Sequence, residues 1–328
     1  MAERHETAYA GGGVLTFGEA IVGYGSSDGD LARSTTFTRF LGGADLNVAV
    51  ALVRLGVPAT WAGVLGDDAH GDYASARVDT LGVRALVRRA PGPTAVMFKA
   101  QGDGDDPEVL QLRRGSAFAH GAGQVLPAAV DALARVDHLH LTGITLGVSA
   151  QAREATSALL DAARAAGRTV SFDPNLRPHL WPDPDEMREV VNAVAARADL
   201  VLPGLGEGRL LTGADDAEGV AGFYRGLGVG EVVVKLGVAG ALVASTDGVV
   251  RSRAFAVRAL DTVGAGDGFA SGYLAGLLAG ETVQERLDRA AAVGALVTTR
   301  PGDLDAMPTR AEVDRLLAST SAAGPRSS

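Results

Sequence analysis

The sequence contains no cysteine, which excludes disulfide bonds, thiolate nucleophiles and cysteine-ligated zinc sites. Its six histidines form no H-E-x-x-H pattern, so a zinc hydrolase is not expected. No run reaches the ~18 apolar residues that a membrane span requires. The first 13 residues also lack the apolar stretch of a signal peptide. We therefore expect a cytoplasmic protein.

Positive charge is scarce as well. The chain carries 30 basic and 39 acidic residues, for a formal net charge of -9. Such a protein is not expected to bind nucleic acid or anionic membranes non-specifically, and an anionic substrate would need local Arg or Lys groups. Of the 328 residues, 47% are hydrophobic, which is enough to bury the core of one large α/β domain or two small ones.

Strand-like and helix-like segments alternate through the middle and the C-terminal half of the chain. The predicted strands cover residues 14–17, 136–141, 169–172, 200–202, 231–236 and 241–244, and the predicted helices cover residues 151–166, 184–198, 264–279 and 283–298. His138 and His140, in the second of these strands, are expected on opposite faces. The alternation predicts an α/β fold with a mainly parallel central sheet and helices on both faces.

Two stretches, at about 19–42 and 91–116, depart from this alternation. Both are rich in Thr, Val, Phe and Gly with turn residues between them, and we expect them to pair as a small antiparallel sheet beside the main one. Residues 1–13 are expected to form a flexible leader and residues 319–328 a loose tail. The folded domain is therefore predicted over 14–318.

The segment DTVGAGDGF, from Asp261 to Phe269, carries the clearest chemical signal. Gly264, Ala265 and Gly266 precede an apolar helix, and exposed N–H groups at a helix N-terminus form a site for an anion such as phosphate. Asp267 would then lie in the first helical turn, where its negative charge would repel a bound phosphate. A carboxylate there makes sense as the base that deprotonates an attacking hydroxyl. The alternative is that Asp267 merely caps a helix.

The segment GGADLNVAVALVRLG, from Gly42 to Gly56, is a glycine pair followed by an apolar helix. Leu46, Val50 and Val53 follow helical spacing and should face the core. Asn47 is the polar exception, and its carboxamide can both donate to and accept from a sugar hydroxyl. The alternative is an asparagine satisfied by nearby backbone.

Together these two segments resemble the two signature stretches of the ribokinase-like (PfkB) sugar kinases, and the similarity extends over about 14–308. The resemblance implies a three-layer α/β sandwich with a small β-sheet lid. It also implies that Gly264, Ala265 and Gly266 form an anion hole and that Asp267 is the catalytic base. The sugar would lie between the lid and a second set of residues, Gly42, Gly43 and Asn47.

The same resemblance places ATP along the C-terminal half, accompanied by Mg²⁺, with a monovalent cation left open. The turn KLGVAG, with Lys235, Gly237 and Gly240, matches the nucleotide-side turn of the family; an ordinary hairpin is the alternative. Where the family usually shows Asn-x-x-Glu, this chain has Gly204 and Glu207. Glu207 is therefore a weakened candidate for holding Mg²⁺ through water.

Several short pieces resemble the 2-keto-3-deoxygluconate kinase branch, namely LRRGSA at 112–117, HLTGI at 140–144, DPNLR at 173–177 and RPGD at 300–303. In that branch two arginines hold the substrate carboxylate, and the matching positions here are Arg113 and Arg177. Arginine suits this role because its planar fork binds a carboxylate through two hydrogen bonds. The lid tyrosines of that branch are replaced by Met97 and Gln111, and DPNLR also resembles fructokinases.

We therefore predict ATP-dependent phosphorylation of a primary hydroxyl of a small sugar acid, first of all 2-keto-3-deoxygluconate. A fructokinase or ribokinase specificity is the alternative within the family. A catalytically silent sugar- or nucleotide-binding protein and an NAD-dependent oxidoreductase are alternatives of other classes. Exposed lid strands in this fold also predict pairing across a homodimer.

Overall fold

The computed structural model describes residues 11–26, 29–100 and 108–321. In these ranges the strands are β1 (Val14–Phe17), β2 (Ile21–Ser26), β3 (Phe37–Gly42), β4 (Ala59–Gly66), β5 (Arg84–Ala90), β6 (Ala95–Ala100), β7 (Val109–Leu112), β8 (His138–Thr142), β9 (Thr169–Asp173), β10 (Leu200–Val201), β11 (Glu231–Lys235), β12 (Ala241–Ser245) and β13 (Gly248–Ser252). The helices are α1 (Ala44–Arg54), α2 (Ala69–Asp79), α3 (Ala117–Ala132), α4 (Gly143–Val148), α5 (Ala150–Ala165), α6 (Pro184–Ala195), α7 (Leu205–Thr212), α8 (Ala217–Gly226), α9 (Ala265–Leu278), α10 (Val283–Thr298) and α11 (Arg310–Ser321).

The main sheet has the strand order β13-β12-β11-β10-β9-β8-β1-β4-β5. Every neighbouring pair from β11 to β5 is parallel, which confirms the predicted mainly parallel sheet. Strand β12 differs, because it runs antiparallel to both β11 and β13. The reason is its short connection: a single 3-10 turn at Gly237–Ala239 joins β11 to β12, whereas a parallel neighbour needs a long crossover.

A second sheet, with the order β3-β2-β6-β7, forms the lid from both predicted stretches. The hairpin-like pairs β2–β3 and β6–β7 are antiparallel as expected, but the central pair β2–β6 is parallel. The chain leaves the lid after β3, runs through the body and returns at β6, and this long excursion is what allows a parallel pair.

Alternation along the strands creates a core on each face of the main sheet. In β1, Leu15 and Phe17 join the core under α3 and α5, whereas Val14 joins the core under α1, α9 and α10. The result is the helix–sheet–helix sandwich that the sequence predicts. No helix of the described ranges is both long enough and apolar enough to cross a bilayer.

Three local predictions need correction or fall outside the described residues. His138 and His140 lie on the same face of β8, since both hydrogen-bond to the hydroxyl of Ser171; residues two apart along a strand share a face, so the expectation of opposite faces was wrong. Residues 1–10 of the predicted leader are outside the described residues. Gly12, near the end of that leader, donates its N–H to Asp137 Oδ2 at 2.7 Å. At the other end α11 continues to Ser321, past the predicted boundary at 318, and residues 322–328 of the predicted tail are not described.

Candidate active site

A cleft of about 330 Å³ opens at the carboxyl ends of β9, β10 and β11, beside the start of α9 and under the lid strand β7. Ligands of open α/β sheets bind at this edge, where loops between strand and helix converge. The cleft is lined by Val109, Asn175, Arg177, Glu207, Lys235, Thr262, Val263, Gly264, Gly266 and Asp267. Five other predicted site residues thus share one cavity with Asp267, namely Arg177, Glu207, Lys235, Gly264 and Gly266.

The start of α9 has the geometry that the predicted anion site requires. Gly264 precedes the helix in the left-handed region, with φ of 77°, and a Cβ there would lie 3.2 Å from Asp303 Oδ1, so glycine is required. The first N–H groups of a helix have no partner within it, and the helix dipole favours an anion beside them. Lys235 strengthens this site, because its Nζ lies 3.6 Å from where a Cβ on Gly266 would be.

Asp267 is held from two sides at the floor of this cleft. Its Oδ2 accepts a hydrogen bond from Asn47 Nδ2 at 2.8 Å, and its Oδ1 accepts one from Asn175 Nδ2 at 3.0 Å. Only 7% of the residue is exposed. The pKa of Asp267 is raised to about 7, mainly by burial. The hydrogen bond from Asn47 lowers this pKa, whereas the negative charges of Asp303 and Asp173 raise it.

The glycine-asparagine segment at the start of α1 meets this carboxylate from the lid side. Asn47 donates a second hydrogen bond, to Asp303 Oδ1 at 3.1 Å, and so bridges two buried carboxylates. Gly42 lies against Asp303, whose Oδ2 would be 2.1 Å from a Cβ at that position. Gly43 has φ of 132° and packs on the carbonyl of Glu19. The segment therefore requires two glycines for close approach and supplies an amide donor to Asp267.

Lys235 and Glu207, which are predicted to lie on the nucleotide side, both line the cleft. Lys235 Nζ lies 2.5 Å from Asp173 Oδ2. Burial would lower the pKa of Lys235, but Asp173 and Glu207 outweigh burial and raise that pKa, so the group is an ammonium. Glu207 accepts backbone hydrogen bonds from Leu176 at 2.6 Å and from Gly204 at 2.8 Å. Its carboxylate is thus fixed at the start of α7 even without the usual asparagine at position 204.

The two predicted carboxylate-binding arginines have different surroundings. Arg177 lines the cleft, donates to its neighbour Leu176 O at 2.9 Å, and forms no ion pair with the acids of the described ranges. Arg113 is buried and outside the cleft lining, where its Nη2 and Nε lie 2.7 and 2.9 Å from Glu19 Oε2. Its guanidinium is already neutralised, so a substrate contact for Arg113 remains a prediction.

Other predicted positions support the site from a distance. Gly237 and Gly240 shape the turn after Lys235, with φ of 60° and 97°, and a Cβ on Gly240 would lie 2.0 Å from Ser252 O. Neither lines the cleft. Met97 and Gln111, which replace the lid tyrosines of the 2-keto-3-deoxygluconate kinase branch, face each other across β6 and β7.

The donor set suits Mg²⁺ only with help from a ligand. Among the described residues no three His, Asp or Glu side chains are grouped to hold a metal. Glu207 offers one fixed carboxylate in the cleft. Mg²⁺ is commonly bound by one or two carboxylates together with substrate phosphates and water, so the residues fit an ion that arrives with a nucleotide.

Sequence reasoning missed four side chains of this region, namely Lys99, Asp173, Asn175 and Asp261. The rarity of lysine was the available signal: the chain has only two, Lys99 and Lys235. Lys99 is buried and Lys235 is half-buried, and each pairs with an aspartate beside the cleft. In an Arg-rich chain, the two positions that use lysine mark compact ammonium groups at the functional region.

Comparison with known proteins agrees with this geometry. The model of a family described as pfkB family carbohydrate kinase matches residues 13–310. The 2-dehydro-3-deoxygluconokinase of Bacillus subtilis (strain 168) is 37% identical over 309 residues, covering 92% of this chain and 94% of that protein.

Two crystal structures extend the comparison to three dimensions. The PfkB protein from Polaromonas sp. JS666 is 41% identical with a TM-score of 0.82, covering 92% of this chain and 99% of that one. The fructokinase with bound ATP from Xylella fastidiosa is 28% identical with a TM-score of 0.82, covering 94% of this chain and 98% of that one.

Proposed function

Because this chain belongs to the pfkB family of carbohydrate kinases and is an ATP-dependent sugar kinase, we propose that its acceptor is a small sugar acid, first of all 2-keto-3-deoxygluconate. We propose further that Asp267 is the general base for a primary hydroxyl of that acceptor. The observation that carries the proposal is the location of this carboxylate in the first turn of α9, in one cleft with Lys235 and Arg177.

The reaction divides between the two sides of the cleft. The acceptor hydroxyl loses its proton to Asp267, its oxygen forms a bond to the γ-phosphorus of ATP, and the bond to the β–γ bridging oxygen breaks to release ADP. A base is most effective when its pKa lies near the working pH, and burial holds the pKa of Asp267 at about 7. The N–H groups of the α9 terminus and the Lys235 ammonium oppose the charge on the moving phosphoryl group.

Lys235, Gly264 and Gly266 would contact the phosphates of ATP, and Glu207 would hold Mg²⁺ through water. Bound Mg²⁺ supplies neutralisation of phosphate charge. The lid strand β7 reaches the cleft through Val109. A closed lid excludes water, which limits hydrolysis of ATP in place of transfer to the sugar.

The preference for an acid sugar rests on Arg177. Its guanidinium lines the cleft and forms no direct ion pair among the described residues, although its charge lowers the pKa of the nearby Asp267 and Asp303, so it can receive the carboxylate of a substrate through two hydrogen bonds. The relative named 2-dehydro-3-deoxygluconokinase supports this class. The fructokinase neighbour and the Met97–Gln111 pair in place of tyrosines favour a neutral ketose as the second candidate.

A substrate panel tests the proposal. Initial rates with ATP and Mg²⁺ are compared for 2-keto-3-deoxygluconate, 2-keto-gluconate, fructose and ribose, for the wild type and for Arg177→Gln. We expect the acid sugars to have the highest kcat/KM, and Arg177→Gln to lose that advantage because the substituted amide carries no charge. A wild type that prefers fructose would replace the acid-sugar assignment by the second candidate, and phosphorylation of no sugar would leave a binding protein.

A further inference from the structure

Asn175 has an unusual backbone conformation. Among the described residues it is the one non-glycine residue with positive φ, at 36°. Asparagine tolerates this region better than most residues, but such a conformation persists only where the surroundings hold it. The residue follows β9 in the turn Asp173-Pro174-Asn175, at the edge of the cleft.

Both ends of Asn175 are fixed by carboxylates. Its backbone N–H donates to Asp173 Oδ1 at 3.1 Å, and its side-chain amide donates to Asp267 Oδ1 at 3.0 Å. The other oxygen of Asp173 lies 2.5 Å from Lys235 Nζ. The next residue is held too, because Leu176 N–H donates to Glu207. A hydrogen-bonded path thus joins the phosphate-side lysine to the carboxylate of Asp267.

We infer that Asn175 is a positioning residue for the reaction: its amide, held by the turn at Asp173, fixes one oxygen of Asp267 while Asn47 fixes the other. The inference rests on the proposed role of Asp267 as the base. Asn47 approaches from α1 and Asn175 from the loop after β9, so the carboxylate cannot rotate without breaking one bond. An oriented base keeps the acceptor hydroxyl in line with the phosphate, so the orientation should affect kcat and leave substrate binding unchanged.

The test uses substitutions that keep the turn. Asn175→Gly accepts positive φ and removes the amide, and Asn175→Asp keeps the shape but replaces the donor by a like charge. Asn192→Ala is the matched control, since that amide donates to Leu211 O, between α6 and α7, and does not line the cleft. The full-length protein is assayed with ATP, Mg²⁺ and the best sugar of the panel from pH 5.5 to 9.

We expect Asn175→Gly to lower kcat about 10- to 100-fold, the range for a lost hydrogen bond to a charged group, with both KM values within about threefold. The acidic limb of the kcat/KM profile should move to higher pH, because the lost donor stabilised the ionised base. Asn175→Asp should lose more activity than Asn175→Gly. Asn192→Ala should keep both kcat and the acidic limb.

An acidic limb that stays in place in both Asn175 variants, with thermal unfolding showing folded protein, would overturn the inference whatever the change in kcat. Asp267→Asn is measured in parallel. If Asp267→Asn is inactive while the Asn175 variants behave as wild type, the positioning role of Asn175 is wrong and the proposed role of Asp267 as base is retained. If Asp267→Asn keeps near-normal turnover, the proposed function of Asp267 fails and the inference falls with it.

Discussion

Three buried aspartates lie in or beside the candidate active site, and burial is the largest influence on the pKa of each. It raises the pKa of Asp45 to about 8, that of Asp267 to about 7 and that of Asp303 to about 6. Hydrogen bonds from Thr142 and Thr145 to Asp45, and from Asn47 to the other two, oppose this effect. The site therefore keeps carboxylates where ionisation is unfavourable, which suits a base but costs stability.

Asp45 gives a prediction about stability and pH. The pKa of Asp45 in the folded state lies above the unfolded value of 3.8. Its contribution to the free energy of unfolding is therefore fully present below pH 3.8 and is lost as the pH rises towards 8. Asp45→Asn has no such loss. Relative to wild type, the variant should therefore gain ~1.4 kcal/mol in free energy of unfolding per pH unit between pH 5 and 7.

Urea unfolding of both proteins at pH 5, 6 and 7 measures this difference. Asp288→Asn is the control, because Asp288 is only half-buried on α10, where it hydrogen-bonds to Gln284. Burial raises the pKa of Asp288 too, but less than that of Asp45, so its stability difference should change less with pH. A difference for Asp45→Asn that stays constant with pH would mean that the buried carboxylate is ionised in the folded protein.

At the residue scale, short motifs predicted much of the candidate site. The two glycine-rich segments contain residues that meet in space, since Asn47 and Asp267 are 220 positions apart yet hydrogen-bonded. The Arg113 pairing was not predictable, because Glu19 lies 94 positions away and carries no motif of its own. Asn175 was missed because the left-handed turn that aims its amide is a property of the folded loop.

An ion pair with little exposure joins lid strand β6 to the body. Lys99, on β6, lies 2.6 and 2.7 Å from the two oxygens of Asp261, and the side chains are only 8% and 15% exposed. Asp261 Oδ1 also accepts the N–H of Val263 at 3.1 Å, in the turn that leads into Gly264. The ion pair therefore connects the lid to the loop that leads into α9, and we expect lid closure to depend on it.

Lys99→Met tests this link at the scale of elements. Methionine is unbranched like lysine, although one atom shorter, and leaves Asp261 without its cation, so the closed lid should be less populated. We expect the KM for the sugar to rise about tenfold or more, since a lost bond to a charged group costs ~1.5–3 kcal/mol. Steady-state kinetics with the sugar varied at saturating ATP measure it.

Lys99→Arg serves as the comparison for charge, and it should recover a part of the wild-type KM because the cation is retained. Equal KM values for wild type and Lys99→Met would show that the pair does not influence closure.

At the scale of elements, periodicity predicted where helices and strands lie but not how strands pair. The helix predicted over 283–298 has those bounds, because its apolar spacing and its capping threonine at position 282 act locally. The antiparallel direction of β12 and the parallel pair β2–β6 depend on where the chain travels between strands. Local sequence carries little information about such routes.

The whole molecule presents an apolar edge on its lid. Leu110 and Leu112, on the edge strand β7, are 51% and 54% exposed. An exposed edge strand with apolar side chains is a surface on which a second chain can pair. The proposed homodimer would use this edge.

The double variant Leu110→Glu/Leu112→Glu should therefore shift a wild-type dimer to the monomer, because charge repels across a two-fold interface. Leu210→Glu is the matched control, since Leu210 is 49% exposed on α7, away from the lid. Sedimentation velocity measures the mass. A wild type that sediments as a monomer at all concentrations, or a double variant that remains dimeric, would contradict the proposed interface.

The role of Asp267 as general base is tested most directly by the turnover of Asp267→Asn at saturating ATP and sugar. Asparagine keeps the size of the side chain and can still hydrogen-bond within the cleft, but it cannot take a proton from the acceptor hydroxyl. We predict that kcat falls by roughly 10²–10⁴, the usual contribution of a general base, while Asp288→Asn keeps wild-type turnover. A kcat for Asp267→Asn within a few-fold of wild type would contradict the account.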